Sequence, residues 1–446
     1  MRIIVAGAGA VGSHLAKMLS QENHDIVLID PDEAKLKQIG SNLDVLTREG
    51  SATSITLLLD SNIKKADLFI SVATNEETNI TAAILGKKLG AKKTIARIDN
   101  QEYLYAKYKE HFTSLGVDYM IYPEKIAAKE IVGLLEQTGS TDLVDFSGGK
   151  LSLFAVKLEE DAPIINKSLN EVSEKTEKNE YRAVAVTRKG NTIIPNGEFR
   201  FSPNDLVYVI SNEKGINSLM EYSGKKKFDI RNIMILGGSR IGMLAARDLG
   251  NQHNIKLIEL NREKSYRLSN MLNNTLVING DGRDMNLLVE EGLEKMDAFI
   301  AVTGDAEINI LASMLAKKLG VKKTIAEVEN MDYIALAENM GIDTIINKKL
   351  ITASRIFRFT TSEAVSAVKC LTGTDAEVME FIVTEKAKIT QASLNQINFP
   401  KDSIVGGVIR GDNSFIANGY TQIKPQDKVV VFALPSAINK VAKFFN

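Results

Sequence analysis

Short apolar runs alternate with amphipathic segments over the first part of the chain. Arg2–Ala6 is an apolar run that breaks into a glycine-rich turn, His14–Ser20 has helical spacing, and Asp25–Ile29 is apolar again. The same alternation continues, with further predicted strands at Leu43–Thr47, Leu68–Val72, Thr94–Ile98 and Tyr119–Ile121. Strands that alternate with helices at this spacing predict a parallel sheet covered by helices on both faces.

The pattern changes near residue 139. Leu151–Leu158, Tyr181–Arg188 and Leu206–Ile210 are rich in strand-forming residues, and Pro195–Gly197 between them is typical of a turn. These runs predict a small α+β domain after the first parallel sheet. Gly224–Lys227 is rich in lysine, which is typical of an exposed linker.

The order of predicted elements and turns then repeats in the second half of the chain. The glycine turn at Gly7 recurs at Gly237, and the turn Pro195–Gly197 of the small domain recurs as Ala417–Gly419. A period this long is typical of a gene duplication rather than a solenoid. We therefore predict four domains, at residues 1–138, 139–223, 228–370 and 371–446. The predicted fold class is α/β, with two Rossmann-like, doubly wound parallel-sheet domains, each followed by a small α+β domain.

Composition narrows the function classes. The 446 residues carry a formal net charge of −1, so no strong positive field favours nucleic acid as a partner. The single cysteine excludes a disulfide framework and a cysteine-based metal site, and this usage predicts a cytoplasmic protein. The longest apolar runs are far shorter than the roughly 20 residues that span a bilayer. Work at a membrane would therefore require docking onto a partner.

The first glycine loop has the features of a dinucleotide site. Gly7 makes the tight turn, Gly9 allows the backbone to approach a pyrophosphate, and Gly12 allows the helix to pack on the strand. Asp30 closes the second strand, where it would accept hydrogen bonds from a ribose diol and repel a 2′-phosphate. This arrangement favours NAD or adenosine over NADP, although a glycine turn that only packs remains an alternative. The predicted loop comprises Gly7, Ala8, Gly9, Ala10, Val11 and Gly12.

The second glycine loop departs from the first. Ser239 replaces the middle glycine, Arg240 brings a guanidinium that could pair with a phosphate, and Glu259 offers a ribose acceptor. We predict a second nucleotide site with a different preference or affinity, the alternative being a degenerate half that is kept for its fold. This loop comprises Gly237, Gly238, Ser239, Arg240, Ile241 and Gly242.

Other candidates follow the carboxyl ends of the predicted strands, where ligands bind in open α/β sheets. In the first half they are Ser51, Ala73, Thr74 and Arg97, and in the second half they are Asp281, Thr303 and Gly304. The counterpart of Arg97 is Glu327, so the two halves differ in charge at this point. Arg97 suits an anionic nucleotide, and a surface ion pair is its alternative role.

Catalytic residues are harder to find. None of the four histidines has a recognisable acid or base partner, although a dehydrogenase needs one beside the nicotinamide. No phosphate loop of the GxxxxGK[ST] type, zinc-spaced histidine set or nucleophile elbow is present either. The sequence thus predicts nucleotide binding without catalysis, while an NAD-dependent oxidoreductase remains an alternative.

The chain resembles the TrkA family, the peripheral subunits of Trk potassium uptake systems, in which each half is a regulator-of-potassium-conductance module. The segments that carry the resemblance are Gly7–Gly12, Asp30, Ala66–Asn79 and Lys87–Arg97, with Gly237–Gly242, Gly280–Asp281, Asp297–Asn309 and Lys317–Glu327. The resemblance implies that NAD, NADH or an adenine nucleotide such as ATP or ADP is held by both halves. Ser51 stands where the family often has aspartate.

The resemblance also implies a regulatory role. It implies a homo-oligomeric ring of two or four chains on the cytoplasmic face of an integral-membrane potassium channel subunit of the Trk type. Nucleotide occupancy would then change the ring geometry and gate potassium flux. A soluble nucleotide-sensing adaptor for another transporter remains an alternative.

Overall fold

The computed structural model describes residues 1–20, 24–136, 142–147, 149–158, 160–173, 181–188, 191–212, 229–357, 359–360, 365–370 and 376–445. The predicted linker Gly224–Lys227 lies outside these residues. Within the described chain, two parallel six-stranded sheets and two antiparallel five-stranded sheets confirm the predicted fold class.

The first parallel sheet has the strand order β3-β2-β1-β4-β5-β6, so its direction of winding reverses between β1 and β4. Its strands are β1 (Arg2–Ala6), β2 (Asp25–Asp30), β3 (Leu46–Glu49), β4 (Leu68–Ser71), β5 (Lys93–Arg97) and β6 (Tyr119–Ile121). Its helices are α1 (Ala10–Ser20), α2 (Glu33–Gly40), α3 (Ile55–Asp60), α4 (Glu76–Lys88), α5 (Ala106–Leu115) and α6 (Pro123–Glu136). Strands β1 and β4 are buried along almost their whole length, as expected for a sheet covered on both faces.

Several element boundaries differ from the sequence prediction; α1, for example, begins at Ala10 rather than His14. Strand β3 begins at Leu46 rather than Leu43, because the N–H of Leu43 donates to the carbonyl of Ile39 and continues the end of α2. A separate 3₁₀ turn, Gln101–Leu104, precedes α5, since Asn100 accepts the N–H of Glu102 and caps this turn.

The first antiparallel sheet has the order β10-β9-β11-β8-β7. Its strands are β7 (Asp142–Phe146), β8 (Leu151–Lys157), β9 (Tyr181–Arg188), β10 (Asn191–Ile193) and β11 (Leu206–Ser211), with the short helix α7 (Leu169–Ser173). The apolar pattern predicts three of these strands. It misses β7 and β10, which are the two edge strands.

The second parallel sheet repeats the order of the first, as β14-β13-β12-β15-β16-β17. Its strands are β12 (Asn232–Leu236), β13 (Asn254–Glu259), β14 (Thr275–Asn279), β15 (Ala298–Ala301), β16 (Lys323–Glu327) and β17 (Thr344–Ile346). Its helices are α8 (Arg240–Leu249), α9 (Arg262–Met271), α10 (Met285–Glu290), α11 (Ala306–Lys318), α12 (Met331–Asn339) and α13 (Lys348–Phe357). The equivalent order confirms that the two halves share one topology.

The second antiparallel sheet has the order β18-β19-β22-β20-β21. Its elements are β18 (Val365–Cys370), β19 (Glu377–Ile382), β20 (Ser403–Arg410), β21 (Asn413–Ile416), β22 (Lys428–Ala433) and α14 (Pro435–Ala442). The two antiparallel sheets share one hydrophobic core, in which Tyr208 of β11 and Phe432 of β22 are both buried.

The chain divides into two compact units that do not follow sequence order. One unit contains Met1–Ile126 with Lys348–Ser362, and the other contains Ala127–Asn347 with Glu363–Asn446. Helix α13 therefore belongs to the first unit, where it lies against α1. Within the described part of the chain, every helix is too short or too polar to span a lipid bilayer.

Candidate functional site

The first glycine loop joins β1 to α1 at the point where the sheet reverses its winding. Gly7 has a φ of +109°, and its N–H donates to the carbonyl of Ile29 at 2.8 Å. A Cβ on Gly7 would lie 2.8 Å from the backbone nitrogen of Ala73, and a Cβ on Gly12 would overlap the carbonyl oxygen of Gly7. Gly9, by contrast, faces open space. The loop thus has the tight turn, the close helix packing and the open approach that a pyrophosphate needs.

The second glycine loop has the same backbone and a different helix start. Gly237 has a φ of +102°, and a Cβ on Gly242 would overlap the carbonyl oxygen of Gly237. Ser239 is the N-cap of α8, and its Oγ accepts the N–H of Gly242 at 3.2 Å. One N–H at this helix end is therefore already satisfied by the protein itself.

An acid holds each glycine loop from the end of the neighbouring strand. In the first half, Asp30 Oδ2 accepts the N–H of Ala8 at 2.6 Å and Oδ1 accepts the N–H of Asp32 at 2.9 Å. In the second half, Glu259 Oε2 accepts the N–H of Gly238 at 2.9 Å. Both acids end the second strand of their sheet and are 8% exposed, so only an edge of each carboxylate is available to a ligand.

Glu259 carries an ion pair that Asp30 lacks among the described residues. Lys264 Nζ lies 2.9 Å from Glu259 Oε2, and the N–H of Asn261 donates to Oε1 at 2.9 Å. Burial raises the pKa of Glu259, but the hydrogen bonds from Asn261 and Lys264 outweigh burial and leave this pKa below its ordinary value. Glu259 is therefore ionised at neutral pH, with a cation beside it.

A cavity of about 340 Å³ opens at the carboxyl ends of β12, β13 and β15. Six of the predicted residues line it: Gly237, Ser239, Glu259, Asp281, Thr303 and Gly304. The other predicted residues of this half do not line the cavity. Ile241 and Gly242 are buried at the start of α8, Gly238 lies under Glu259, and the side chain of Arg240 is exposed.

Two cations that the sequence prediction missed also line this cavity, Lys264 and Arg283. Arg283 Nη2 lies 2.6 Å from Asp281 Oδ2, and Arg283 Nε donates to both oxygens of that carboxylate. The hydrogen bonds from Arg283 lower the pKa of Asp281 to about 2. A sequence signal for Arg283 was present: the second half has the charged residues Asp281 and Arg283 where the first half has the uncharged Ser51 and Thr53.

Buried asparagines fix the strand ends that face each glycine loop. Asn79 Oδ1 accepts the N–H of Ala73 at 2.7 Å, and its Nδ2 donates to the carbonyls of Ala73 and Arg97, both at 3.0 Å. Asn309 makes the equivalent bonds to Thr303 and Glu327. The sequence signal for these positions is an asparagine that recurs at the same place in both halves, in helices α4 and α11, where small and apolar residues follow it.

The remaining candidates of the first half lie around the same strand ends. Thr74 is exposed after β4, and Ser51 Oγ lies 2.9 Å from Thr53 Oγ1. Arg97 lies 3.5 Å from Asp99, and its Nε is buried with no hydrogen-bond partner among the described residues. Ala10 is exposed and Val11 is buried at the start of α1. Arg97 therefore keeps one buried donor that the described residues leave unsatisfied.

Comparisons with known proteins agree with this geometry. The TrkA-N domain model matches residues 3–123 and 233–348, and the TrkA-C domain model matches residues 153–224 and 378–446.

The chain belongs to the TrkA family.

Curated TrkA relatives match over the full length. The Trk system potassium uptake protein TrkA homolog 1 of Methanosarcina mazei is 33% identical, with 100% of both chains covered. The Trk system potassium uptake protein TrkA of Vibrio alginolyticus is 32% identical, over 97% of this chain and 95% of the relative. The solved structure of the GsuK channel bound to NAD aligns with a TM-score of 0.60 at 15% identity, over 100% of this chain and 78% of that one. This last likeness concerns the fold alone.

The arrangement in each TrkA-N domain is chemically suited to binding. It presents backbone N–H groups, an acidic side chain at the end of the second strand and accessible carboxyl ends of the central strands. Among the described residues, no group of three or more histidine, cysteine, aspartate or glutamate side chains could hold a metal ion.

Proposed function

We propose that this chain is the peripheral regulatory subunit of a Trk-type potassium uptake channel, and that nucleotide binding in its two TrkA-N domains gates potassium flux through the membrane partner. The observation that carries the proposal is the pair of acids, Asp30 and Glu259, each bonded to a glycine-loop N–H beside an open strand end. The relatives named as potassium uptake proteins support the transport role, and the GsuK channel bound to NAD supports the ligand class.

The ligands of the proposal are NAD or NADH and adenine nucleotides such as ATP or ADP. Asp30 and Glu259 would accept the ribose hydroxyls, the glycine loops would face the phosphates, and Arg97 would supply a cation in the first half. Ser51, Ala73 and Thr74 in the first half, and Asp281, Thr303 and Gly304 in the second, complete the proposed contacts.

Gating requires that a nucleotide bind one conformation better than another. Helix α1, which begins at the first glycine loop, lies against α13, a helix that follows the second TrkA-N domain in sequence. A ligand that shifts α1 would therefore act directly on a distant segment of the chain. We propose that this contact carries nucleotide occupancy into a ring of two or four chains on the cytoplasmic face of the channel.

Flux through a reconstituted complex tests the proposal. The chain and a Trk-type membrane subunit are placed in potassium-loaded liposomes, and rubidium uptake is followed with NAD, NADH, ATP or ADP. We expect nucleotide-dependent uptake that is lost in the double variant Asp30→Ala, Glu259→Ala, while the variant still co-purifies with the membrane subunit.

Two results would contradict the proposal. Rubidium uptake that none of the nucleotides changes would rule out the regulatory role. Steady oxidation of NADH with an added acceptor, in the absence of any effect on uptake, would instead favour the oxidoreductase alternative.

A further inference from the structure

The second TrkA-N domain differs from the first in charge at the ribose end of its site. The four positions at the end of the second strand and the start of the next helix hold Asp30, Asp32, Glu33 and Lys35 in the first half, and Glu259, Asn261, Arg262 and Lys264 in the second. Glu263 also stands in this stretch, opposite Ala34, so the formal charges of residues 30–35 sum to −2 and those of residues 259–264 sum to 0. The backbone here is equivalent, so the difference lies in the side chains alone.

The equivalent lysines have different partners. In the first half, Lys35 Nζ lies 3.1 Å from Asp32 Oδ2, and Asp30 makes its bond to the N–H of Ala8. In the second half, position 261 is a neutral asparagine, and Lys264 pairs with Glu259 itself at 2.9 Å. The lysine thus stands at the carboxylate that would receive the ribose.

A second cation is held in the same cavity. Arg283 is paired with Asp281, and both line the cavity together with Glu259, Lys264 and Asp305. The first half has Thr53 in place of Arg283 and Ser51 in place of Asp281. The side chain of Arg283 is 65% exposed, so it can turn from Asp281 toward a ligand without breaking a buried contact. A guanidinium and an ammonium group that line one cavity supply the chemistry that recognises a phosphate.

We infer that the second TrkA-N domain accepts a dinucleotide with a phosphate on the 2′ position of the adenosine ribose, the class of NADP and NADPH, while the first TrkA-N domain excludes it. This inference rests on the proposed function, because it assumes that both domains bind nucleotides. Lys264 offsets the charge of Glu259, and Arg283 adds a cation to a cavity that Asp281 and Asp305 also line. Arg262 begins α9 next to Asn261, so the second domain has three cations at positions where the first domain has Lys35 alone. In the first domain the 2′-phosphate would meet Asp30, Asp32 and Glu33.

Titration of the full chain with NADH and NADPH tests this inference, with the fluorescence of the reduced nicotinamide as the signal. We expect two equivalents of NADH but one of NADPH per chain. Lys264→Gln with Arg262→Gln should weaken NADPH binding by about tenfold or more, since one charge-assisted bond to phosphate is worth that much, and should change NADH binding far less. Lys35→Gln in the first domain is the matched control and should leave NADPH binding unchanged.

The reciprocal change sharpens the test. Asp32→Asn with Glu33→Arg should give the first domain an NADPH site and raise the stoichiometry to two. NADPH that binds neither domain or both domains of the wild-type chain, or a double glutamine variant that loses NADH and NADPH by the same factor, would overturn the inference while leaving nucleotide binding intact. Failure of the chain to bind either dinucleotide would instead contradict the proposed function, and the inference with it.

Discussion

The two TrkA-N domains hold an acid over the same glycine-loop N–H with different pairs of residues. The first domain uses Ala8 with the shorter Asp30, and the second uses Gly238 with the longer Glu259. A Cβ on Gly238 would lie 2.3 Å from Leu268 Cδ1 and 2.8 Å from Glu259 Oε2, so the second domain has no room for the methyl that Ala8 carries in the first. The two halves therefore preserve the hydrogen bond and vary the residues that make it.

The halves differ more in what surrounds the acid. Asp30 meets only backbone N–H groups among the contacts described, whereas Glu259 also meets Lys264. A duplicated site that keeps its backbone and changes its charges is expected to keep the ligand class and to change the preference within it.

We expect the largest loss of stability and binding from a substitution that fills the space between the first glycine loop and α1. Gly12→Ala places a methyl against the carbonyl oxygen of Gly7, which cannot move without breaking the turn. We expect it to lower the midpoint of thermal unfolding by about 10 °C, as severe overpacking does, and to abolish binding in the first site. Gly9→Ala is the control, because its Cβ meets open space, and it should leave the unfolding midpoint unchanged. Equal losses of stability would show that the loop is not packed as described.

We expect a smaller loss of stability from removing the buried asparagine side chains. Asn79→Ala leaves the N–H of Ala73 and the carbonyl of Arg97 without their partner, and Asn309→Ala does the same at Thr303 and Glu327. Each should lower the unfolding midpoint by about 5 °C, the cost of unsatisfied buried groups. Each should also weaken nucleotide binding only in its own half. Loss of binding in both halves from one variant would contradict the independence of the two sites.

We expect the smallest effect, a change in NADH affinity, from altering the loop residue Gly238 and the acid Glu259 that bonds to it. Gly238→Ala should displace Glu259 and weaken binding in the second site by about tenfold, because the new methyl would come too close to Glu259 Oε2 and to Leu268 Cδ1. Adding Glu259→Asp recreates the combination of the first half and should restore most of that affinity. Calorimetric titration with NADH measures both steps. A double variant that binds no better than Gly238→Ala would show that the two pairs are not interchangeable.

The sheets and the acids could be predicted from the sequence because their causes are local. Glycines at fixed offsets after an apolar run, and an acid at the end of the next one, determine Gly7, Gly12 and Asp30 without reference to distant residues. The repeat then transfers these positions to the second half, including the substitution of Ser239.

The other features of the structure could not be predicted, because they depend on contacts that form only when the chain is folded. Lys264 pairs with Glu259, whereas the equivalent Lys35 pairs with Asp32, and the pattern of apolar residues does not encode this choice of partner. Strand β3 starts late because the end of α2 takes up its first residues. The packing of α13 on α1 joins segments more than 300 residues apart, and no periodicity reports such a contact.

The most direct test of two nucleotide sites is the shift in thermal unfolding with NAD, NADH, ATP and ADP, measured on the wild type, Asp30→Ala, Glu259→Ala and the double variant. A ligand that binds only the folded chain should raise the midpoint by about 5 °C at a concentration of about 100 times its Kd. We expect each single variant to lose part of this shift and the double variant to lose all of it. A shift that survives in the double variant, or that is absent from the wild type with every nucleotide, would contradict binding at these two acids.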